Sequence, residues 1–113
     1  MKIYVCNALA LGMLDREVQR SFNPKIPRGI TLEIARSLVG KNSGTEIIGA
    51  VGHADTAQAI ADALGLPLDM VHARISVKLG SSDYALIGAY TGPRLPEGAT
   101  SLPRGAKLEW WIV

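Results

Sequence analysis

The chain has few cysteines and histidines and little net charge, and each of these shortages excludes some classes of protein. Among its 113 residues are one cysteine and two histidines, and the formal net charge is only +2. The single cysteine, Cys6, excludes an intrachain disulfide and a cysteine-based zinc site. The small charge excess and the scattered basic residues do not supply the dense cationic surface that long duplex DNA requires. A small anionic ligand remains compatible with this composition.

Long hydrophobic runs are also missing. The N-terminal stretch MKIYVCNALALGML is apolar, but it is far shorter than the ~20 residues of a membrane span and has no convincing cleavage site for a signal peptide. Together with the lone thiol, this indicates a reducing, intracellular setting. Because 48% of the residues are hydrophobic and no segment is of low complexity, we predict one domain over residues 1–113 with its own core.

The pattern of apolar residues predicts alternating strands and helices. KIYVCN at the start and KLEWWIV at the end are typical of strands, and ALALGMLDREVQRSF predicts a helix. ITLEIARSL alternates and predicts a strand, whereas TEIIGAV predicts a short helix. VHARISVKL and YALIGAY, joined by the turn GSSD, predict a hairpin. The predicted fold is therefore α/β or α+β, with a mixed sheet of about five strands flanked by helices.

One of the two histidines stands directly before a predicted helix, in AVGHADTAQAIADAL at residues 50–64. Apolar residues follow at the spacing of one buried helix face: Ala57, Ile60, Ala61 and Leu64. Asp55 is the predicted N-cap, because Gln58 three residues later would complete a capping-box-like pair. Gly65 is predicted to end the helix.

His53 is thus expected in the turn that leads into this helix. Gly52 lets the backbone approach a ligand closely or adopt a positive φ. A helix start carries free N–H groups and a partial positive charge, so a phosphate bound there would lie beside the imidazole. The Asp55 carboxylate would compete for those N–H groups, yet would also favour the protonated imidazole. The simpler alternative is an exposed histidine in an ordinary turn.

Four motifs together carry a resemblance to a known family. YVCNALALGML, VGHADTAQAI, ARISVKL and RLPEG follow each other over residues 3–98. In order and approximate spacing, they resemble the small viral ring nucleases, the type III anti-CRISPR ring nucleases of archaeal viruses and their bacterial relatives. The Gly-His pair followed by Thr and Gln is the most specific part of the match.

This resemblance implies a metal-independent phosphodiesterase, without a cofactor, that cleaves cyclic tetra-adenylate, the second messenger of type III CRISPR defence. In that reaction a ribose 2′-hydroxyl attacks the neighbouring phosphate and expels the 5′-oxygen, which leaves linear products with a 2′,3′-cyclic phosphate. The resemblance also implies a homodimer with the ligand pocket at its interface, in the cytoplasm of a prokaryotic cell. The alternative is a non-catalytic protein that sequesters the ring.

Carried over to this sequence, the family pattern implies three catalytic residues. His53 is the general acid for the leaving 5′-oxygen, Arg94 stabilises charge on the phosphorane, and Glu97 orients a ribose or the arginine. The implied ligand-binding positions are Asn7, Ala8, Ala10, Gly52, Asp55, Thr56 and Arg74. No metal ligand is implied.

Each assignment also has a plainer structural interpretation. Arg94 and Glu97 could form a surface ion pair, and Asn7 could turn the chain after the first strand. Arg74 could lie on the solvated face of a strand with Lys78.

The sequence departs from the family pattern at two of these positions. Ala10 stands where a small hydroxyl residue is common, and Asp55 stands where serine or threonine is expected. One hydrogen bond to the ligand would be missing, and a negative charge would be added near a polyanion. A ring of another size, or slower cleavage, is compatible with both changes.

Overall fold

A computed structural model of the chain describes residues 2–9, 13–14, 26–40, 44–80, 82–91 and 107–113. Within these ranges the regular elements are five strands and two helices. In chain order they are β1 (Lys2–Cys6), β2 (Arg28–Ile30), α1 (Leu32–Leu38), β3 (Glu46–Gly49), α2 (Ala54–Leu64), β4 (Asp83–Thr91) and β5 (Lys107–Ile112). A 3-10 turn at Leu68–Met70 follows α2. No helix in these ranges is long and apolar enough to cross a membrane.

The strands form one mixed sheet in the order β2-β5-β4-β1-β3. β1 runs parallel to both β3 and β4, whereas β5 runs antiparallel to β4 and β2. The predicted α+β class with a mixed five-stranded sheet is confirmed. The strands predicted from KIYVCN and KLEWWIV are confirmed as β1 and β5. The helix predicted from ALALGMLDREVQRSF lies largely outside the described residues.

The two faces of the sheet are covered differently. Ile3 and Val5 of β1 pack in one buried cluster with Ala35 of α1 and Ile60 of α2, so both helices lie on that face. Cys6 points the opposite way, because side chains alternate along a strand. It packs in a second buried cluster with Met13, Val77 and Leu79. One face is therefore covered by helices, and the other partly by irregular chain.

The strand predicted from ITLEIARSL is wrong, since α1 occupies most of it. The Thr31 side chain accepts a hydrogen bond from the Ile34 backbone N–H at 3.2 Å and caps the helix start. Ala35 and Val39 are buried at helical spacing. Ile34, which the alternating pattern would bury, is 48% exposed. The apolar residues of this segment fit both the alternation of a strand and the spacing of a helix. The N-cap at Thr31 favours the helix.

The short helix predicted from TEIIGAV is also wrong, because these residues form β3. Ile47 pairs with Ile3, and the Ala50 N–H donates to the Val5 carbonyl at 2.9 Å. The backbone groups of β3 thus form hydrogen bonds with β1, a strand that lies more than forty residues earlier in the chain. A local sequence pattern does not contain that information.

The hairpin predicted from VHARISVKL and YALIGAY is wrong as well. The second stretch is β4, whose partners are β1 and β5. The first is not a regular strand and instead makes two isolated parallel bridges, Val51 with His72 and Leu14 with Leu79. The turn between them is closed by the Gly80 N–H, which donates to the Asp83 carboxylate at 3.0 Å.

Candidate anion-binding site

The parallel strands bring several of the predicted site residues to one edge of the sheet. β1, β3 and β4 all point the same way, so their carboxyl ends meet at what we call the carboxyl edge. β1 continues into Asn7, and β3 continues through residues 50–53 into α2. Ligands of parallel sheets commonly bind beyond the carboxyl ends of the strands.

A pocket of about 510 Å³ opens at the carboxyl edge. Its walls come from the end of β1, from the residue after β3 and from the irregular chain before β4: Cys6, Asn7, Ala8, Met13, Ala50, Ile75, Ser76, Val77 and Lys78. Asn7 and Ala8 were predicted to bind the ligand, and both line this pocket. Lys78 is the one cation among these residues and none of them carries a carboxylate, so the lining is suited to an anion.

Cys6 also lines the pocket, but its chemistry is that of a core residue. The side chain is buried, and burial raises the pKa of the Cys6 thiol to about 12. The thiol is therefore protonated at neutral pH, and a thiol is a far weaker nucleophile than a thiolate. This supports a packing role for Cys6.

The start of α2 differs from the prediction by two residues. His53, not Asp55, is the N-cap, and its carbonyl accepts the first helical hydrogen bond from the Ala57 N–H at 2.9 Å. A capping box centred on Asp55 is therefore excluded, and the Gln58 amide donates to Asp62 at 2.8 Å. Asp55 lies in the first turn, where a carboxylate interacts favourably with the positive end of the helix.

The imidazole of His53 is not used by the helix that it precedes. It makes no side-chain capping hydrogen bond, and the residue is exposed. Asparagine, aspartate, serine and threonine are the usual residues at this position, because their side chains cap the helix. A histidine there leaves an exposed imidazole at the helix start that does not cap the helix.

Arg74 lies against the turn that carries His53. Its Nε donates to the Gly52 carbonyl at 3.4 Å, and a Cβ on residue 52 would lie 3.4 Å from the Arg74 Cγ. Gly52 does not have a positive φ, so that alternative of the prediction is wrong. The structure thus brings Gly52, His53 and Arg74 together.

The same turn is fixed by backbone hydrogen bonds on the buried side. The Val51 N–H donates to the Val71 carbonyl, and the Ala73 N–H donates to the Val51 carbonyl, both at 3.1 Å. Val51 is completely buried. The position of His53 is therefore set by packed chain on one side and by Arg74 on the other.

The remaining predicted residues divide into two groups. Asp55 and Thr56 lie in the first turn of α2, beside His53. Ala10, Arg94 and Glu97 lie outside the described residues. Sequence reasoning did not assign Ser76 and Lys78, which line the pocket, although both are part of the ARISVKL motif. Within the described ranges, no three of the His, Cys, Asp and Glu residues group as metal ligands would.

The structure defines a small α+β protein with a candidate anion-binding pocket at its carboxyl edge, and its fold is that of a known viral protein. The structure of B116 of Sulfolobus turreted icosahedral virus (STIV) superposes with a TM-score of 0.65 at 22% sequence identity. The match covers 99% of this chain and 97% of that one. No curated protein matches the chain.

The STIV B116-like family model matches residues 3–105, and the chain belongs to this family. The match spans all four motifs on which the resemblance to viral ring nucleases rests, and it confirms that resemblance at the level of the family.

Proposed function

We propose that this protein is a metal-independent ring nuclease that binds and cleaves cyclic tetra-adenylate. The observation that carries the proposal is the exposed His53 at the start of α2, with Arg74 in contact with the carbonyl of Gly52, the residue before it. A helix start and a guanidinium both attract phosphate. A phosphodiester held there lies next to a group that can donate a proton, which is the arrangement required for general acid catalysis.

In the proposed reaction, the ribose 2′-hydroxyl attacks the adjacent phosphorus and loses its proton to solvent. The bond from phosphorus to the 2′-oxygen forms as the bond to the 5′-oxygen breaks. Protonated His53 donates its proton to the departing 5′-oxygen, which leaves as a neutral hydroxyl. Arg74 and the N–H groups of α2 hold the phosphate, while Arg94 stabilises the phosphorane and Glu97 orients a ribose or that arginine.

The pocket at the end of β1 is suited to an adenosine of the ring. The Asn7 amide carries both donors and an acceptor, and asparagine can pair with the N6 and N7 atoms of adenine. Ala8, Met13 and Ile75 supply apolar walls for the base. Ile75 is 46% exposed, so its side chain is accessible to a base bound in the pocket.

Incubation of the purified protein with cyclic tetra-adenylate in excess EDTA tests the activity directly. We expect linear adenylates with a 2′,3′-cyclic phosphate end, resolved by chromatography, because His53 protonates the leaving oxygen and the attacking hydroxyl loses its proton to solvent, so no step uses a metal. A requirement for added divalent metal would contradict the mechanism. An intact ring that co-elutes with the protein would identify a binding protein that sequesters the messenger.

We also propose that the active form is a homodimer. A pocket of about 510 Å³ has the size that accommodates one drug-sized molecule. A ring of four nucleotides is larger than one such pocket, and a two-fold axis would present two such pockets to a two-fold-symmetric ligand. Sedimentation velocity at micromolar concentration should give a dimer. A monomer under the conditions in which the ring is cleaved would contradict this arrangement.

A further inference from the structure

Residues 73–79 form an irregular segment that is held at both ends. At one end the Ala73 N–H donates to the Val51 carbonyl at 3.1 Å. At the other, the Leu79 N–H donates to the Met13 carbonyl at 2.8 Å, and Leu79 is buried. The chain between these anchors therefore crosses the carboxyl edge in a defined position.

This segment carries two cations with different neighbours. Arg74 lies against Gly52, in the turn that presents His53. Lys78 lines the pocket at the end of β1, next to the anchored Leu79. Four residues of chain span at most about 14 Å between Cα atoms. The backbone positions of Arg74 and Lys78 are therefore close enough for one ligand to reach both side chains. Arg74 contacts the turn before α2, and Lys78 lines the pocket.

The described residues that line the pocket do not balance the charge of Lys78, because the other eight carry no carboxylate. Lys78 is also exposed, so its ammonium is available to a ligand. A lysine that serves only solubility has no need to line a concave surface shared with Asn7 and Ser76.

We infer that Lys78 binds a second phosphate of the ligand, one that is not cut, while the scissile phosphate lies beside His53. This inference rests on the proposed function and adds a specificity rule to it. The ligand must carry at least two phosphates within reach of one chain, so an oligonucleotide is favoured over a mononucleotide. Lys78 then contributes to the affinity for the ligand and to the choice of the phosphate that lies beside His53, whereas His53 contributes to the chemical step.

The test is the salt dependence of binding. In a His53→Ala background, in which cleavage is expected to be much slower, the Kd for cyclic tetra-adenylate is measured over a series of salt concentrations with and without Lys78→Gln. A charge-assisted contact of ordinary strength predicts a Kd about 10-fold higher at low salt. The slope of the logarithm of the association constant against the logarithm of the salt concentration should also become shallower by about 0.7, because one lysine no longer neutralises a phosphate.

Lys2→Gln is the matched control, because it removes the same charge from an exposed lysine at the amino end of β1, away from the carboxyl edge. It should leave both the Kd and the slope at their original values. With His53 intact, Lys78→Gln should raise KM by a larger factor than it lowers kcat.

The possible outcomes separate the two proposals. If the ring is bound and cleaved but Lys78→Gln behaves like Lys2→Gln, the second phosphate site is wrong and the ring nuclease stands. If Lys78→Gln lowers kcat without changing the salt slope, Lys78 acts through structure and the inference is overturned. If the chain with native His53 neither binds nor cleaves the ring, the proposed function fails, and the inference fails with it.

Discussion

Replacement of His53 with alanine should slow single-turnover cleavage of cyclic tetra-adenylate by about 100-fold to 10,000-fold, the range expected for loss of a general acid. Without the imidazole, the 5′-oxygen must leave as an alkoxide or take its proton from water. The ring should still bind, because Arg74 and the α2 N–H groups are retained. Rapid mixing with excess enzyme, followed by chromatography of quenched samples, measures the rate of the chemical step.

His72→Ala provides a matched control for this experiment. His72 is the other histidine, it is exposed, and its backbone N–H donates to the Leu68 carbonyl at 2.8 Å. Alanine retains that backbone bond, so His72→Ala should cleave at the original rate. The His53 side chain makes no capping bond, and its removal should not affect folding. Equal rates for the two variants would exclude His53 as the acid.

Replacement of Gly49 with alanine should lower the free energy of unfolding by about 1–3 kcal/mol, the usual cost of overpacking. A Cβ at this position would lie 2.6 Å from the Met70 carbonyl oxygen and 2.6 Å from the carbonyl carbon and oxygen of Val71. These are backbone atoms, so no side-chain rotation relieves the contact. Either β3 or the chain after the 3-10 turn must move.

Urea unfolding followed by tryptophan fluorescence measures this decrease, with Gly40→Ala as the control. A Cβ at residue 40 would lie 3.5 Å from its nearest neighbours, an ordinary contact, and the φ there is not positive. Gly40→Ala should therefore be neutral or slightly stabilising. An unchanged midpoint for Gly49→Ala, with an unchanged slope, would show that β3 and the turn are less tightly packed than the structure describes.

Local sequence patterns are sufficient to predict some elements of this fold but not others. β1, β5 and the body of α2 are each specified by their own residues, and the end of α2 follows from Gly65, whose φ is +72°. β3 and the segment after α2 depend on partners far away in the chain. Gly49 shows this well, because the backbone that it must accommodate belongs to Met70 and Val71.

The site was predictable to a similar extent. The position of His53 at a helix start follows from the glycine before it and the apolar spacing after it. The sequence favours Asp55 as the N-cap because aspartate is a better cap than histidine, but in the structure His53 occupies that position. The contact of Arg74 with Gly52 could not be predicted, since the residues around Arg74 gave a strand pattern and the structure has none there.

The place of β5 in the sheet has a consequence for synthesis of the protein. β5 is the last of the described strands in chain order, yet it lies between β2 and β4, and in the described residues β2 has no other strand partner. A nascent chain that has emerged only as far as β4 holds β2 without its neighbour. Completion of the sheet must wait until the residues through Ile112 have left the ribosome, and such long-range pairing is a slow step of folding. Until then, the backbone groups of β2 and β4 that pair with β5 are available to chaperones or to other nascent chains.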